Sequence, residues 1–423
     1  MSALGSEHPV ETQRAAGMSR GLLAWLGVLV IVWLAGVGAW MIQLSDGLQV
    51  TAMRDNVIWG LYIVFFMFFV GLSAGGLIVA SAGRIFGVER FKPIVRVAVL
   101  EATVAILIAA VFILPDLGHP ERIFNLVLHA QILSPMIWDI LVIFIYLVLS
   151  SLYVWLYTRR DLARRGSWLA LGTKPDDSPA AAARDDRVTW ALAWIALPAA
   201  VLVHSVTAWI FGLQISRGLW YTAIMAPLFV SSALVSGLAL VVLLAIVARR
   251  TARVAFDDYL VKYLGGLLGV FIIVQAFFLF CELLAGFYPG VPTDAVRRLV
   301  GGPYAVLAGI ELVVGLAIPF LLLIVPRFRA RPAVVALAAG LAILGIFVHR
   351  LNIVLAGLSD APIASPPGTS IGTDVTGASV FATSSAYFPT AIEWLVVSGI
   401  LALAAMIFTL AAWYLPLRQE RHP

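Results

Sequence analysis

Ten long stretches of apolar residues run along the chain, and short polar segments separate them. Each stretch is about twenty residues or longer, the length that an α-helix needs to cross the hydrocarbon core of a bilayer. The stretches are continuous, whereas a membrane β-barrel shows short segments of alternating character. They predict ten membrane-spanning helices at 21–44, 57–83, 93–115, 134–157, 188–213, 218–248, 260–287, 303–325, 332–357 and 388–415.

The composition agrees with an all-α integral membrane protein. Hydrophobic residues make up 62% of the chain and charged residues only 12%, whereas a soluble domain has about 25% charged residues. The net charge of +5 does not indicate a nucleic-acid partner, because Lys and Arg collect in the cytoplasmic loops of membrane proteins. The lipid membrane itself is the surroundings that this composition requires.

The distribution of Lys and Arg predicts the orientation. Most of these 28 residues lie in the two terminal tails and in the loops near 84–96, 158–187, 249–262 and 326–331. By the positive-inside rule, both termini are expected in the cytoplasm of a prokaryotic cell, with the chain in its inner membrane. We interpret 159–187 as a charged surface loop. The opposite segment 359–386 is rich in Pro, Gly, Ser and Thr, and it is either a lid or docking surface or a mobile connector.

A weak internal repeat predicts the domain organisation. Val203-His204 is followed by seven residues and then Gly-Leu, and the same arrangement recurs at Val348-His349. We therefore expect two four-helix bundles, spans 2–5 and spans 6–9, with spans 1 and 10 at the flanks. The corresponding units are an N-terminal tail with the first helix (1–45), the two bundles (46–214 and 215–358), and an outer loop with the last helix (359–423).

The chain lacks the usual ligands of a redox centre. It has one cysteine, Cys281, whereas an iron–sulfur cluster needs about four ligands. No C-x-x-C-H haem-attachment motif and no nucleotide-binding glycine motif is present. We therefore expect no haem, iron–sulfur cluster or metal in this chain, no covalently bound cofactor, and a partner subunit that carries the electrons.

Ionisable residues inside the spans are candidates for chemistry, because each costs roughly 2.5–3.5 kcal/mol at the centre of a membrane helix on insertion scales. The alternative for each is a paired structural group. Besides Asp139, His204 and Arg350, they include a set that we interpret as a possible proton path: Glu101, Glu282, Glu311, His349 and Glu393.

The link between spans 3 and 4 carries the sharpest feature. It reads D-L-G-H-P-E-R from Asp116, with His119 in the middle, and then S-P-M-I-W-D ending at Asp139. Asp116 leaves span 3 where Asp139 enters span 4, so we expect the two carboxyls and the imidazole to converge. Such acids can exchange protons with a quinol, whose apolar ring needs a hydrophobic slot. The alternative is that Asp116 caps the loop and Asp139 pairs with Arg122.

Four further residues are candidates for quinone contact. His204 lies at a compatible height in span 5, and Gly75 in span 2 leaves space either for a flat ring or for close helix packing. Tyr62 and Trp138 lie near the outer interface, where aromatic residues are also expected for membrane anchoring.

These motifs, together with G-L-S-A-G-G at 71–76 and V-H-S-V-T-A-W at 203–209, resemble the NrfD/PsrC family of polysulfide-reductase-like membrane subunits over nearly the whole chain. The ten-span layout is similar to its longer branch, which includes HmcC, DsrP and the ActC and ActF subunits of alternative complex III.

The resemblance implies a quinone- or quinol-binding subunit, for menaquinone or ubiquinone, that has no redox centre of its own. It implies electron exchange with a docked ferredoxin-like iron–sulfur subunit, often attached to a molybdopterin or multihaem cytochrome subunit, and possible coupling to proton translocation. The pocket residues of the longer branch match Asp116 and Asp139 here, whereas His119 stands where arginine is common.

Two other classes of protein share some of these features. A secondary transporter also has internal repeats and buried charges, although the spans lack the paired broken helices expected at its midplane site. A haem-bearing quinol cytochrome would need His204 and His349 as ligands, and an optical spectrum would reveal it.

Overall fold

The computed structural model describes residues 18–54, 57–176, 178–251, 254–288, 294–359, 370–373, 379–381 and 387–417. Ten helices in these ranges are long and apolar enough to cross a membrane, as the sequence predicts. They are α1 (Arg20–Asp46), α2 (Leu61–Ile85), α3 (Val95–Asp116), α4 (Pro135–Arg164), α5 (Pro179–Gly212), α6 (Met225–Arg250), α7 (Asp258–Phe287), α8 (Ala305–Ile324), α9 (Pro332–Gly357) and α10 (Ala391–Tyr414).

Short elements connect the long helices. The middle of α8, Ile310–Ala317, is a π-helix. Strands β1 (Ser370–Thr373) and β2 (Ser379–Phe381) pair antiparallel in the outer loop. The single-turn and other short helices are Leu48–Val50, Glu89–Ile94, Pro120–Phe124, Asn125–Leu128, Trp168–Ala170, Asp294–Gly301 and Pro326–Arg329.

Two connecting segments bear on the sequence predictions. The prediction of a surface loop over 159–187 is wrong at both ends, because α4 continues to Arg164 and α5 already begins at Pro179. The Ser178 side chain caps α5, proline occupies its first position, and alanines follow, so this polar turn is a good helix start. Apart from the two strands, most of 359–386 lies outside the described residues, as does the tail 1–17, and the lid remains a prediction.

Helix α2 is the centre of the molecule. It is buried along nearly its whole length, whereas α1, α7 and α10 expose most of their apolar surface. It packs against α3, α5, α6 and α9. A central span needs no lipid-facing side, which explains why the apolar run L-Y-I-V-F-F-M-F-F-V-G-L carries no charged residue.

The other helices form two groups around α2. Helices α2, α3, α4 and α5 pack on one another, α6, α7, α8 and α9 do the same, and α1 packs on α10 at the flank. This packing follows the proposed grouping of spans, although the division into domains remains a prediction. The groups meet mainly where α2 and α5 pack against α6.

The contact between α2 and α6 is made by backbone on backbone at Gly75 and Gly237. A Cβ atom at Gly75 would lie 2.0 Å from the Gly237 carbonyl carbon, and one at Gly237 would lie 2.2 Å from the Gly75 nitrogen. Small residues allow such close approach between membrane helices. The structure therefore gives Gly75 a packing role, and the predicted space for a flat ring on this face is taken up by α6.

We predict that Gly75→Val prevents close packing of α2 on α6 and destabilises the folded protein by about 3 kcal/mol or more, the upper range for overpacked cores. Thermal unfolding of the detergent-purified chain measures this change. Gly340→Ala in α9 is the matched control, because no atom lies within 4 Å of the position that the added methyl group would occupy. A Gly75→Val protein as stable as the control would contradict the tight contact.

Candidate functional site

Asp139 lies one turn into α4 and is buried. Its Oδ1 atom accepts a hydrogen bond from Thr207 Oγ1 of α5, at 2.6 Å. Because Thr207 is the partner, the alternative pairing of Asp139 with Arg122 is not the arrangement observed. His204 lies one turn before Thr207 on α5, and its Nε2 atom has no hydrogen-bond partner within the described residues.

Asp116 ends α3 at the same outer end of the molecule. Its Oδ1 atom is buried and makes no hydrogen bond to the described part of the protein. The charges of Asp116 and Glu393 both act on the Tyr62 hydroxyl, which donates a hydrogen bond to Gln43 Oε1 at 2.6 Å. Gln43 in turn donates to the carbonyl oxygen of Pro115, also at 2.6 Å. This chain of contacts fixes the end of α3.

Glu393 lies at the start of α10 and is fully buried. Its carboxylate accepts hydrogen bonds from the backbone amides of Ala52, at 2.8 Å, and Thr390, at 2.9 Å, and from the Tyr387 hydroxyl. Together with the Thr390 side chain it forms a capping box for the helix. Glu393 therefore has a clear structural role, which the sequence interpretation as a proton-path residue did not include.

Tyr387 is the donor in this cluster. Burial raises the pKa of Tyr387, and the Glu393 carboxyl raises it further. The phenol hydroxyl therefore stays protonated and keeps donating its hydrogen to Glu393, while its oxygen accepts from the Leu61 amide at 2.7 Å. Through Tyr387, the starts of α2 and α10 are joined.

The two aspartates occupy separate environments. The nearest charged neighbour acting on Asp116 is Glu393, whereas Asp139 bonds Thr207, and no hydrogen bond joins the two carboxyls within the described residues. His119 also departs from the predicted convergence. Its side chain is 64% exposed and lies 2.9 Å from Glu121 Oε1, because the loop turns it away from the helix bundle towards the surface.

Trp138 anchors the loop that precedes α4. Its indole nitrogen donates to the Ile132 carbonyl at 2.5 Å, and its ring packs edge-on against Trp209 of α5. Trp138 therefore stabilises the entry of α4 next to Asp139, and a direct contact with a ligand remains a prediction.

A second polar cluster lies within α8 and α9. Glu311 Oε1 is 2.8 Å from His349 Nδ1, and Glu311 Oε2 accepts a hydrogen bond from Asn352 Nδ2 at 2.6 Å. Glu282 of α7 is close enough for its charge to interact with that of Glu311. Glu311 lies in the π-helix, and such irregular turns often occur where a helix presents a functional side chain.

Arg350 of α9 lies at the boundary between the two groups of helices and is almost completely buried. Its Nη2 atom donates to Ser232 Oγ of α6 at 2.5 Å, and its guanidinium stacks over the Phe229 ring at 3.9 Å. Its charge reaches both His204 and Glu311. Arg350 therefore lies electrostatically between the two groups.

Glu101 is separate from these clusters. It is buried in α3, and a Cβ atom at Gly76 would meet its Oε2 atom at 2.7 Å. Of the five residues predicted as a proton path, Glu282, Glu311 and His349 lie together, whereas Glu101 lies in the first group and Glu393 at the outer end of α10. The contacts among the described residues do not join the five into one continuous chain.

Several polar residues of these clusters were not assigned a role from the sequence. They are Gln43, Thr207, Ser232, Asn352 and Tyr387, together with Arg350, which was noted without a role. Thr207 had a usable signal, because it follows His204 by one helical turn in the V-H-S-V-T motif and so faces the same way. Asn352 had a similar one, three residues after His349.

The fold and these clusters define a multi-pass helical membrane protein in which acidic side chains are buried at the outer helix ends. Comparison with known proteins gives a more specific identification. The family described as "Polysulphide reductase, NrfD" matches residues 49–360. The chain belongs to this family, which confirms the resemblance inferred from the motifs.

Relatives extend the similarity beyond the matched region. The chain is 39% identical over 401 residues, 93% of its length, to 91% of a putative dimethyl sulfoxide reductase membrane subunit from Halobacterium salinarum. It is 26% identical to an Hdr-like menaquinol oxidoreductase integral membrane subunit from Archaeoglobus fulgidus, over 97% and 98% of the two chains. It is 31% identical to a selenate reductase subunit from Mesobacillus selenatarsenatis, over 62% and 64%.

We predict that Glu393→Ala destabilises the protein by about 2 kcal/mol or more, because buried donors at Ala52 and Tyr387 lose their acceptor. Thermal unfolding of the purified chain measures this loss. Glu121→Ala is the control, since the Glu121 side chain is 67% exposed. Unchanged stability of Glu393→Ala, combined with lost activity, would instead favour the proton-path interpretation.

Proposed function

We propose that this protein is the quinone-binding membrane subunit of a respiratory oxidoreductase complex in the prokaryotic cytoplasmic membrane. The observation that carries the proposal is the pair of buried carboxyls at the outer ends of the neighbouring helices α3 and α4. Asp116 keeps one oxygen without a partner in the described protein, and Asp139 accepts one hydrogen bond, from Thr207. Such groups retain capacity to bind a ligand hydroxyl or carbonyl.

The chemistry of these residues suits a quinone. When bound, a quinol supplies two electrons and two protons. In our proposal Asp116 and Asp139 each accept or donate one proton at a carboxylate oxygen, and Thr207 holds the Asp139 carboxylate in orientation. The buried Tyr62 and His204 are polar neighbours on adjacent helices. The apolar side chains around them exclude water from the carboxyls, which lowers competition with solvent.

The names of relatives support both the ligand and the assembly. The Archaeoglobus relative is a membrane subunit of a menaquinol oxidoreductase, and the Halobacterium relative is a membrane subunit of a reductase. We propose menaquinone or ubiquinone as the ligand. We also propose a docked iron–sulfur subunit, with a molybdopterin or multihaem subunit attached, as the partner that takes or gives the electrons.

We predict that Asp139→Asn abolishes quinone-linked turnover and leaves assembly intact, because the amide keeps the shape and the contact with Thr207 but cannot carry the proton. The measurement is oxidation or reduction of a soluble quinone analogue by the complex purified from membranes. Asp46→Asn, at the exposed end of α1, is the matched control. Full turnover in Asp139→Asn would remove this residue from the mechanism.

The cluster around Glu311 supports a second proposal, proton transfer across the membrane. Its carboxylate contacts an imidazole and an amide in the buried interior of the second group, and Arg350 extends the polar region towards His204. In this proposal the cluster holds and moves protons, so that turnover at the outer end becomes electrogenic.

We predict that Glu311→Gln lowers proton translocation more than it lowers quinol oxidation, when both are measured in vesicles containing the complex. The glutamine keeps hydrogen-bonding capacity towards His349 and Asn352 but cannot carry a proton. Equal losses in the two activities would argue that Glu311 only supports the fold.

A further inference from the structure

A cavity of about 310 Å³ lies at the end of the first helix group opposite the aspartates. The ends of α2 and α4 and the starts of α3 and α5 surround it, with the short helix Glu89–Ile94 at its side. The Lys and Arg bias predicts that this end faces the cytoplasm. Its charged lining residues are Arg84, Lys92, Arg96, Arg160, Arg164, Glu89, Asp161, Asp185 and Asp186.

One side of the cavity is organised around Asp185. Its two carboxylate oxygens bind Arg159 Nη2 at 2.5 Å and Arg160 Nε at 2.6 Å. Two guanidinium groups therefore share one carboxylate, and one positive charge is left over. Arg160 Nη2 has no hydrogen-bond partner within the described residues. The carboxylate fixes the orientation of the guanidinium groups without neutralising both.

The facing side repeats this arrangement around Asp161. Arg96 Nη1 lies 2.6 Å from Asp161 Oδ2, and Arg164 Nη1 lies 3.0 Å from Asp161 Oδ1. This cluster also has two guanidinium groups for one carboxylate. By contrast, the pairs Arg84–Asp186 and Lys92–Glu89 are balanced. The cavity wall thus carries a modest positive excess that comes from oriented arginines.

The cavity continues into a groove on the outside of α5. The groove shares Arg84 and Asp186 with the cavity and adds Arg187 and Trp190. Trp190 and Trp194 are both about half exposed, and their rings contact each other edge-on. Tryptophans exposed at a helix end are typical of the boundary between headgroups and hydrocarbon. The polar cavity therefore opens towards the lipid phase.

We propose that this cavity binds the phosphodiester headgroup of an anionic phospholipid, whose acyl chains run along α5 past Trp190. A phosphodiester has one negative charge, which matches the modest positive excess, and guanidinium groups bind phosphate oxygens in pairs. Basic pockets between membrane helices on the cytoplasmic side bind anionic headgroups. The four carboxylates in the wall disfavour a more highly charged ligand such as a nucleotide.

The test uses the full-length chain, purified in detergent and stripped of lipid. Phosphatidylglycerol, phosphatidylcholine and inorganic phosphate are added separately, and native mass spectrometry and the melting temperature report binding. Arg160→Gln is the main variant, because Asp185 keeps Arg159 as its partner. Arg165→Gln removes the same charge from an exposed position of the same region, outside the cavity lining, and is the control.

We expect the wild type to bind phosphatidylglycerol about tenfold more tightly than phosphatidylcholine, and Arg160→Gln to lose most of this preference, as expected for a charge-assisted phosphate contact. Arg165→Gln should behave as the wild type. If Arg160→Gln folds poorly, Arg84→Gln serves instead, since its partner Asp186 is 72% exposed and tolerates the loss.

Three results would overturn the proposal. The first is equal binding of the two lipids to the wild type. The second is an equal loss in Arg160→Gln and Arg165→Gln, which would indicate general surface charge. The third is full stabilisation by inorganic phosphate alone, which would assign the cavity to a free anion and not to a lipid.

Discussion

The absence of water inside a bilayer is the constraint on which this structure depends, because every hydrogen-bonding group there must find a partner in the protein. The backbone satisfies this requirement in ten helices, and most buried acids satisfy it on a neighbouring element: Asp139 with Thr207, Glu311 with His349, Glu393 with Tyr387. Asp116 is an exception, with a buried oxygen that no described residue contacts. An unmet requirement of this kind is a physical reason to place a ligand there.

The two ends of the first helix group differ in their electrostatic design. At the outer end, acidic groups lie among aromatic and hydroxyl side chains, and little positive charge is near them. At the opposite end, arginines outnumber the carboxylates that hold them, as around Asp185 and Asp161. One end is therefore suited to exchanging protons and the other to holding the protein in a membrane with negatively charged headgroups.

The sequence predicted the spans well because a membrane helix is specified locally, by the length of its apolar run. It failed at the start of α5, where the helix continues into water and the cue is a Ser-Pro cap followed by alanines. The site was less predictable. Asp116 and Asp139 stand out as charges, but their partners depend on which helices pack together, which hydropathy does not reveal. Gly75 fits both a packing and a ligand role until the position of Gly237 is known.

The contact between Gly75 and Gly237 limits how the protein can move. Because main chain touches main chain there, no layer of side chains remains that could be rearranged to let one group of helices slide along the other. The groups can pivot about this point but cannot shear past it. Communication between the outer aspartates and the Glu311 cluster therefore favours relays of charge and hydrogen bonds, with Arg350 at the boundary, over the large rocking movements that carry solutes across membranes.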